Sequence, residues 1–220
     1  MTRLLLHTCA VLLSANGMAT AGTNSWTPLG AGLQSTVNVV EFDASRPNTL
    51  FAGAADGIYR SVDGRSTWVN VGGAGVVGGV LSIEVDRVDP QRVYAGLGTG
   101  LYVSNDGGTT WAKTPGLDVG VFAIRSGRNQ GAVVYAGTFG RGVYKSSDGG
   151  ASFEAVGDAL QTDTVFALET IAQDTVYAGT ARGLYVSRDG AQTWQALGTA
   201  LSGLSVRAVR LSIDPLHMLA

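Results

Sequence analysis

Past its first two dozen residues the chain is built from short apolar runs separated by polar, turn-forming residues. "VLSIEV", "RVYAG", "GLYVS" and "TWAKT" are each five or six residues long, rich in β-branched and aromatic side chains, and bounded by Gly, Pro, Asp or Asn. Runs of that length and composition predict strands, and no segment keeps the apolar period of 3.6 that a helix needs. The set of runs also recurs. "LFAGAADGIYRSVDGRSTW", "VYAGLGTGLYVSNDGGTTW", "VYAGTFGRGVYKSSDGGASF" and "VYAGTARGLYVSRDGAQTW" share one pattern, and their aspartates, Asp63, Asp106, Asp148 and Asp189, are spaced by 43, 42 and 41 residues. A period near 42 made only of strands is the length of one four-stranded blade. The expected fold is therefore all-β, a β-propeller with four complete repeats at about 35–73, 79–116, 120–157 and 164–200 and a partial fifth at 205–220. One blade cannot bury both faces of its sheet, so each must stack on its neighbours.

Composition agrees with a globular, turn-rich chain: 45% of the 220 residues are hydrophobic, 15% are charged, 32 are glycine, and the net charge is -2. That balance excludes a disordered polyelectrolyte and gives no reason to expect nucleic acid as a partner. The first 21 residues read as a signal peptide, with Arg3, the apolar core "LLLHTCAVLL" and the small-x-small site Ala19–Thr20–Ala21. A secreted or periplasmic protein of residues 22–220 follows, with no membrane span, because that core is too short for a permanent anchor. Cys9 and His7 leave with the leader. Only His217 remains, so neither disulfides nor a Cys/His metal site is expected, and no cofactor is implied.

The stretch "SNDGGTTW", residues 104–111, decides between a functional and a structural acid. It lies between the third and fourth strands of its repeat, a tight connection in which Ser104 and Asp106 can accept main-chain amides while Gly107 and Gly108 take the left-handed conformation. Trp111 would then enter the seam between blades. Equivalent roles fall to Ser61, Asp63 and Trp68, to Ser146, Asp148 and Phe153, and to Ser187, Asp189 and Trp194. A catalyst repeated four times is implausible, and a helix-loop-helix calcium loop would need alternating oxygen ligands and a distal bidentate Glu that this pattern lacks. On these residues, the pattern Ser-x-Asp-x-Gly-x-Thr-Trp, the chain resembles the Asp-box, or BNR-repeat, propellers of sialidases, xyloglucanases, sortilin-type receptors and photosystem II assembly factors. Arg65 and Ala191 depart from it, standing where the second turn glycine belongs, so those two turns are expected to be looser.

The two ends carry a further expectation. "SWTPLG", 25–30, matches "TWQALG", 193–198, as an isolated closing strand, while "RAVRLSIDPLHMLA" stops within a second strand. The resemblance implies a larger ring of which these blades are the first part. Closure by strand exchange between two chains is the alternative.

Function is expected on the face opposite the Asp-containing turns, where "AADG", "LGTG", "TFGRG" and "TARG" vary while the framework does not. Arg141 and Arg182 occupy equivalent positions there, with Phe139 beside the first, and form the candidate ligand site for a carboxylate, a sugar acid or an acidic peptide. Asp56, Asp118 and Asp163 are the loop acids that a glycosidase could use. The resemblance to sialidases would imply an Arg-Ile-Pro signature and a Tyr-Glu pair. The nearest match to the first is "GIYRS", and Glu41, Glu84, Glu154 and Glu169 fall in or beside strands. The resemblance to xyloglucanases would imply a cleft between two propellers. The preferred reading is an exported, non-catalytic propeller that binds a protein segment or a glycan through its upper loops; the alternative is a glycoside hydrolase.

Overall fold

A computed structural model describes residues 20–21, 24–25, 31–127, 132–172 and 174–210. Residues 1–19 of the leader, the proposed closing strand from residue 26 to 30 and residues 211–220 of the partial repeat lie outside the described residues. Strands β1 (Thr20–Ala21) and β2 (Asn24–Ser25) form a minimal antiparallel pair. The rest is four antiparallel sheets of four strands, each in sequential order. The first sheet holds β3 (Val37–Phe42), β4 (Leu50–Ala54), β5 (Gly57–Ser61) and β6 (Val69–Asn70). The second holds β7 (Val80–Val85), β8 (Val93–Leu97), β9 (Gly100–Ser104) and β10 (Ala112–Lys113). The third holds β11 (Val121–Ser126), β12 (Val134–Thr138), β13 (Val143–Ser146) and β14 (Glu154–Val156), and the fourth β15 (Val165–Ala172), β16 (Thr175–Thr180), β17 (Gly183–Ser187) and β18 (Gln195–Ala196).

The sheets stack through their first strands, with β3 against β7, β7 against β11, and β11 against β15. A small residue makes the approach possible. The glycine of each second-strand "AG" pair faces the first valine of the next blade, and a Cβ on Gly137 would lie 2.7 Å from Val165 Cγ1. The seams are filled by the middle strands, which are buried on both faces. Phe51, Ala95 and Leu97 pack with Ile58, Val80 and Ile83 between the first two blades, and Tyr94, Leu101 and Val134 between the next two. Trp111, Phe153 and Trp194 each close the seam between their own blade and the preceding one. Trp68 has no described blade before it and packs instead on Leu33, Val37 and Val40. Just upstream, Ala31 pairs in parallel with Thr67, and its carbonyl accepts the Trp68 N–H at 3.0 Å.

Beyond β18 the chain returns to the axis. The Val206 N–H donates to Thr180 O at 2.8 Å, Val206 abuts Gly179, and Val209 is buried. Residues 206–210 therefore occupy beside the fourth blade the place that each first strand occupies beside its predecessor.

Candidate functional site

The antiparallel order gives the molecule two faces. The turns linking second to third strands and the connections between blades lie on the upper face; the Ser-x-Asp turns and the links from first to second strands lie on the lower one.

On the lower face, each turn aspartate is a hub. Asp106 Oδ1 accepts from Ser104 Oγ at 2.8 Å and from the Thr109 and Thr110 amides at 2.9 and 2.8 Å, while Oδ2 accepts from Thr110 Oγ1 at 2.6 Å. Asp63, Asp148 and Asp189 accept in the same manner from Ser61 and Thr67, from Ser146 and Ser152, and from Ser187 and Thr193. These bonds to the charged form hold all four carboxyls down at about 2. Every carboxylate oxygen serves the turn, and among the described residues no cluster of three or more His, Cys, Asp or Glu could hold a metal. The two turns without a second glycine are not looser. Arg65 and Ala191 adopt φ of 88° and 73°, matching Gly108 and Gly150 at 82° and 91°, and each donates its amide to the turn serine at 2.9 and 2.8 Å. The hydrogen-bonded frame over-determines the backbone and imposes a left-handed conformation that a side chain disfavours.

The fifth residue of each first strand forms a belt near the axis. Glu41, Glu84, Arg125 and Glu169 sit on equivalent rungs, opposite Phe51, Tyr94, Tyr135 and Tyr177. Arg125 bridges Glu84 at 3.0 Å and Glu169 at 3.6 Å, Arg210 reaches Glu169 at 3.4 Å, and Arg87 spans from the second blade to Glu169 of the fourth at 3.2 Å. That last contact shows how closely the inner strands converge. At Glu41 burial pushes the carboxyl up to about 7, the Glu84 charge adds to the rise, and Arg125, Arg210 and Arg87 only partly oppose it.

The upper face carries the candidate ligand residues. Arg182 Nε pairs with Asp163 Oδ2 at 2.9 Å, and this acid is buried although the guanidinium is exposed. The pair holds the Arg182 guanidinium above its ordinary value. The Asp163 carbonyl also accepts the Gly142 N–H at 2.9 Å, so it joins the turns that carry Arg141 and Arg182. Arg141 is exposed and makes no ion pair with the described residues. Asp56 accepts from the Ser35 hydroxyl and from Tyr59 at 2.8 Å, which lowers its carboxyl, and Asp118 pairs with Lys113. No contact brings Asp56, Asp118 and Asp163 together; each is tied to a partner of its own.

The most organised upper-face feature was not visible in the loops. In every blade the register slips by one residue at the top of the first strand: between Val37 and Val39, Val80 and Ser82, Val121 and Ala123, and Val165 and Ala167. A bulge leaves its extra residue unpaired and re-aims the side chain. The residues so released are Asn38, Leu81, Phe122 and Phe166, and Arg207 follows in the equivalent place. Phe122 meets Phe166 with ring centroids 5.8 Å apart and Phe139 edge-on at 5.9 Å, while the Arg207 guanidinium lies 4.7 Å from the Phe166 centroid. Phe139 is 62% exposed. The signal was present in the repeats, as variation through Asn, Leu, Phe, Phe and Arg at one strand position whose flanking residues barely change. Two shallow grooves of about 280 Å³ lie elsewhere, on either side of Asp148. They are bounded by the third-blade turn, whose polar atoms are already engaged.

Comparison with solved structures agrees with this architecture. An ancestral GH74 enzyme superimposes with a TM-score of 0.68 at 22% identity, over 80% of this chain and 26% of that one. The extracellular domain of a one component system from B. thetaiotaomicron gives 0.68 at 16%, over 86% and 26%, and YCF48 from Cyanidioschyzon merolae 0.60 at 18%, over 83% and 65%. The four sheets are blades of a β-propeller. No protein-family model and no curated protein matches the chain. It spans 26–30% of the length of the GH74 enzymes, and identities this low establish the fold alone.

Proposed function

We propose that this is a non-catalytic propeller that binds a protein segment or a glycan at the upper mouth of its axis. The carrying observation is the run Phe139–Phe122–Phe166–Arg207, a series of aromatic rings ending in a cation, exposed at both ends and half-buried in the middle, where bulges in consecutive blades set Phe122 and Phe166. Exposed aromatics grouped around a concave mouth are a usual basis for ligand recognition. We further propose that the scaffold belongs to the Asp-box type, on the strength of the four equivalent Ser-x-Asp turns, and that it works outside the cytoplasm. Export is supported by Arg3, the following apolar run and the Ala19–Thr20–Ala21 site. No helix of the described residues is long and apolar enough to cross a membrane.

A glycoside hydrolase is the competing reading, supported by the GH74 enzymes among the similar folds. Hydrolysis needs one acid free to give a proton and a second facing it, whereas Asp56, Asp118 and Asp163 each have a local partner. The test measures both activities on the full chain. Binding to oligosaccharide and peptide panels should weaken on Phe139→Ala, with no turnover of aryl glycosides or polysaccharides. Turnover lost on Asp56→Asn, Asp118→Asn or Asp163→Asn would replace this reading with the hydrolase.

A further inference from the structure

Resting on the reading of the upper mouth as a binding site, we infer that its ligand is a carboxylate-bearing oligosaccharide, a chain of uronic acids, laid across the third and fourth blades with a carboxylate on Arg207. Three observations favour this class. First, the rings of Phe139, Phe122 and Phe166 follow one another at 5.9 and 5.8 Å, and the outermost is well exposed. A row of this kind offers successive apolar faces to the C–H faces of sugar rings. Second, the main chain of the turns around it is already occupied. The amides of Phe139, Gly140 and Gly142 donate to Gly120 O, Thr164 Oγ1 and Asp163 O, and those of Ala181, Arg182 and Val206 to Thr164 O, Thr180 Oγ1 and Thr180 O. A peptide that binds by adding a strand needs such groups free, so recognition by these turns falls to side chains. Third, the charge around the mouth is polarised. Arg141, Arg182 and Arg207 stand on the aromatic half against Asp158 and the buried Asp163, whereas the connections of the first two blades carry Asp56 and an Asp118 offset by Lys113. The Arg207 guanidinium lies over the Phe166 ring, which orients its fork while leaving its N–H donors to solvent, the arrangement that suits a bidentate carboxylate.

The test is calorimetric titration of the full chain with three probes: a hexamer of galacturonate, a neutral glucose hexamer and a glutamate hexapeptide. The galacturonate hexamer should bind, the neutral hexamer at least about tenfold more weakly, and the peptide no better than the neutral sugar. Arg207→Gln should weaken galacturonate binding about 10- to 100-fold, the range for loss of a charge-assisted contact, and leave the neutral probe unchanged. Phe139→Ala should weaken both sugars. Both side chains are exposed, and unchanged melting temperatures confirm that the variants fold. Equal binding of acidic and neutral sugars, with no effect of Arg207→Gln, would overturn the acidic class while sparing the binding site. Preference for the glutamate peptide would likewise overturn the saccharide and leave a protein-binding propeller. Galacturonate binding that neither Arg207→Gln nor Phe139→Ala affects would overturn both the inference and the site.

Discussion

Replacing Glu41 by Gln should stabilise the protein at neutral and alkaline pH, unlike most changes to a partly buried polar group. The carboxyl of Glu41 is raised from 4.5 to about 7, chiefly by burial and then by the Glu84 charge. The fold therefore favours the protonated form, and the unfolded chain the ionised one. A group raised in this way contributes its full stability below its unfolded value, near pH 4.5, and loses it as pH climbs through 7. At about 1.4 kcal/mol per unit that rise corresponds to about 3.5 kcal/mol, and because Glu41 is only partly buried, solvent screening reduces the cost of ionising it to about 2–3 kcal/mol by pH 8. Glutamine keeps the shape and removes the charge. At pH 8 the Glu41→Gln melting temperature should exceed wild type by roughly 5–10 °C, on the slope for a domain of this size, while the two proteins should converge near pH 4.5. Asp43, Asp56 and the turn aspartates have lowered carboxyls, so their contribution is lost only below that window and does not confuse it. Chemical unfolding at pH 4.5, 6 and 8 makes the measurement. Parallel wild-type and variant profiles across that range would show that Glu41 is solvated and that the belt argument is wrong.

Asp106→Ala removes four hydrogen bonds from one turn and should cost about 2 kcal/mol, read by urea unfolding at pH 7, with the difference shrinking only as pH falls toward 2. Arg65→Gly relieves a left-handed residue at φ 88° and should raise stability by about 1 kcal/mol; a lower melting temperature would contradict the strain. Gly137→Ala places a methyl 2.7 Å from Val165 Cγ1 and should cost about 1–3 kcal/mol, while Gly75→Ala, with nothing within 4 Å, should leave the midpoint unchanged. Arg182→Ala strands the buried Asp163 carboxylate and should destabilise by about 1–3 kcal/mol, so it is a poor probe of binding unless melting curves accompany it.

How much of this was legible in the sequence depends on what kind of contact each residue makes. The blades were, because strand runs and the Ser-x-Asp turn are local: Ser104, Asp106 and Thr110 bond within seven residues of one another, and the same text appears four times. The belt and the mouth were not, because their partners come from different repeats. Arg87 meets Glu169 eighty-two residues away, and Phe122 meets Phe166 only because blades stack. Yet repetition contains a trace of both. In a ring of equivalent blades, a position that faces the axis in one copy faces it in all, so reading down the column Glu41, Glu84, Arg125, Glu169, Arg210 gives acids and bases that must meet. The column Asn38, Leu81, Phe122, Phe166, Arg207 mixes polar, aliphatic, aromatic and charged side chains, whereas the residue before it is always Val and the one after it is always small or β-branched. A packing position would not tolerate that spread, because cores conserve volume and polarity. Attention to the loops alone caught Phe139 and Arg141 but missed the bulged strand residues on which Phe139 rests. The repeat column, more than the loop, is where a propeller's sequence discloses what its axis touches.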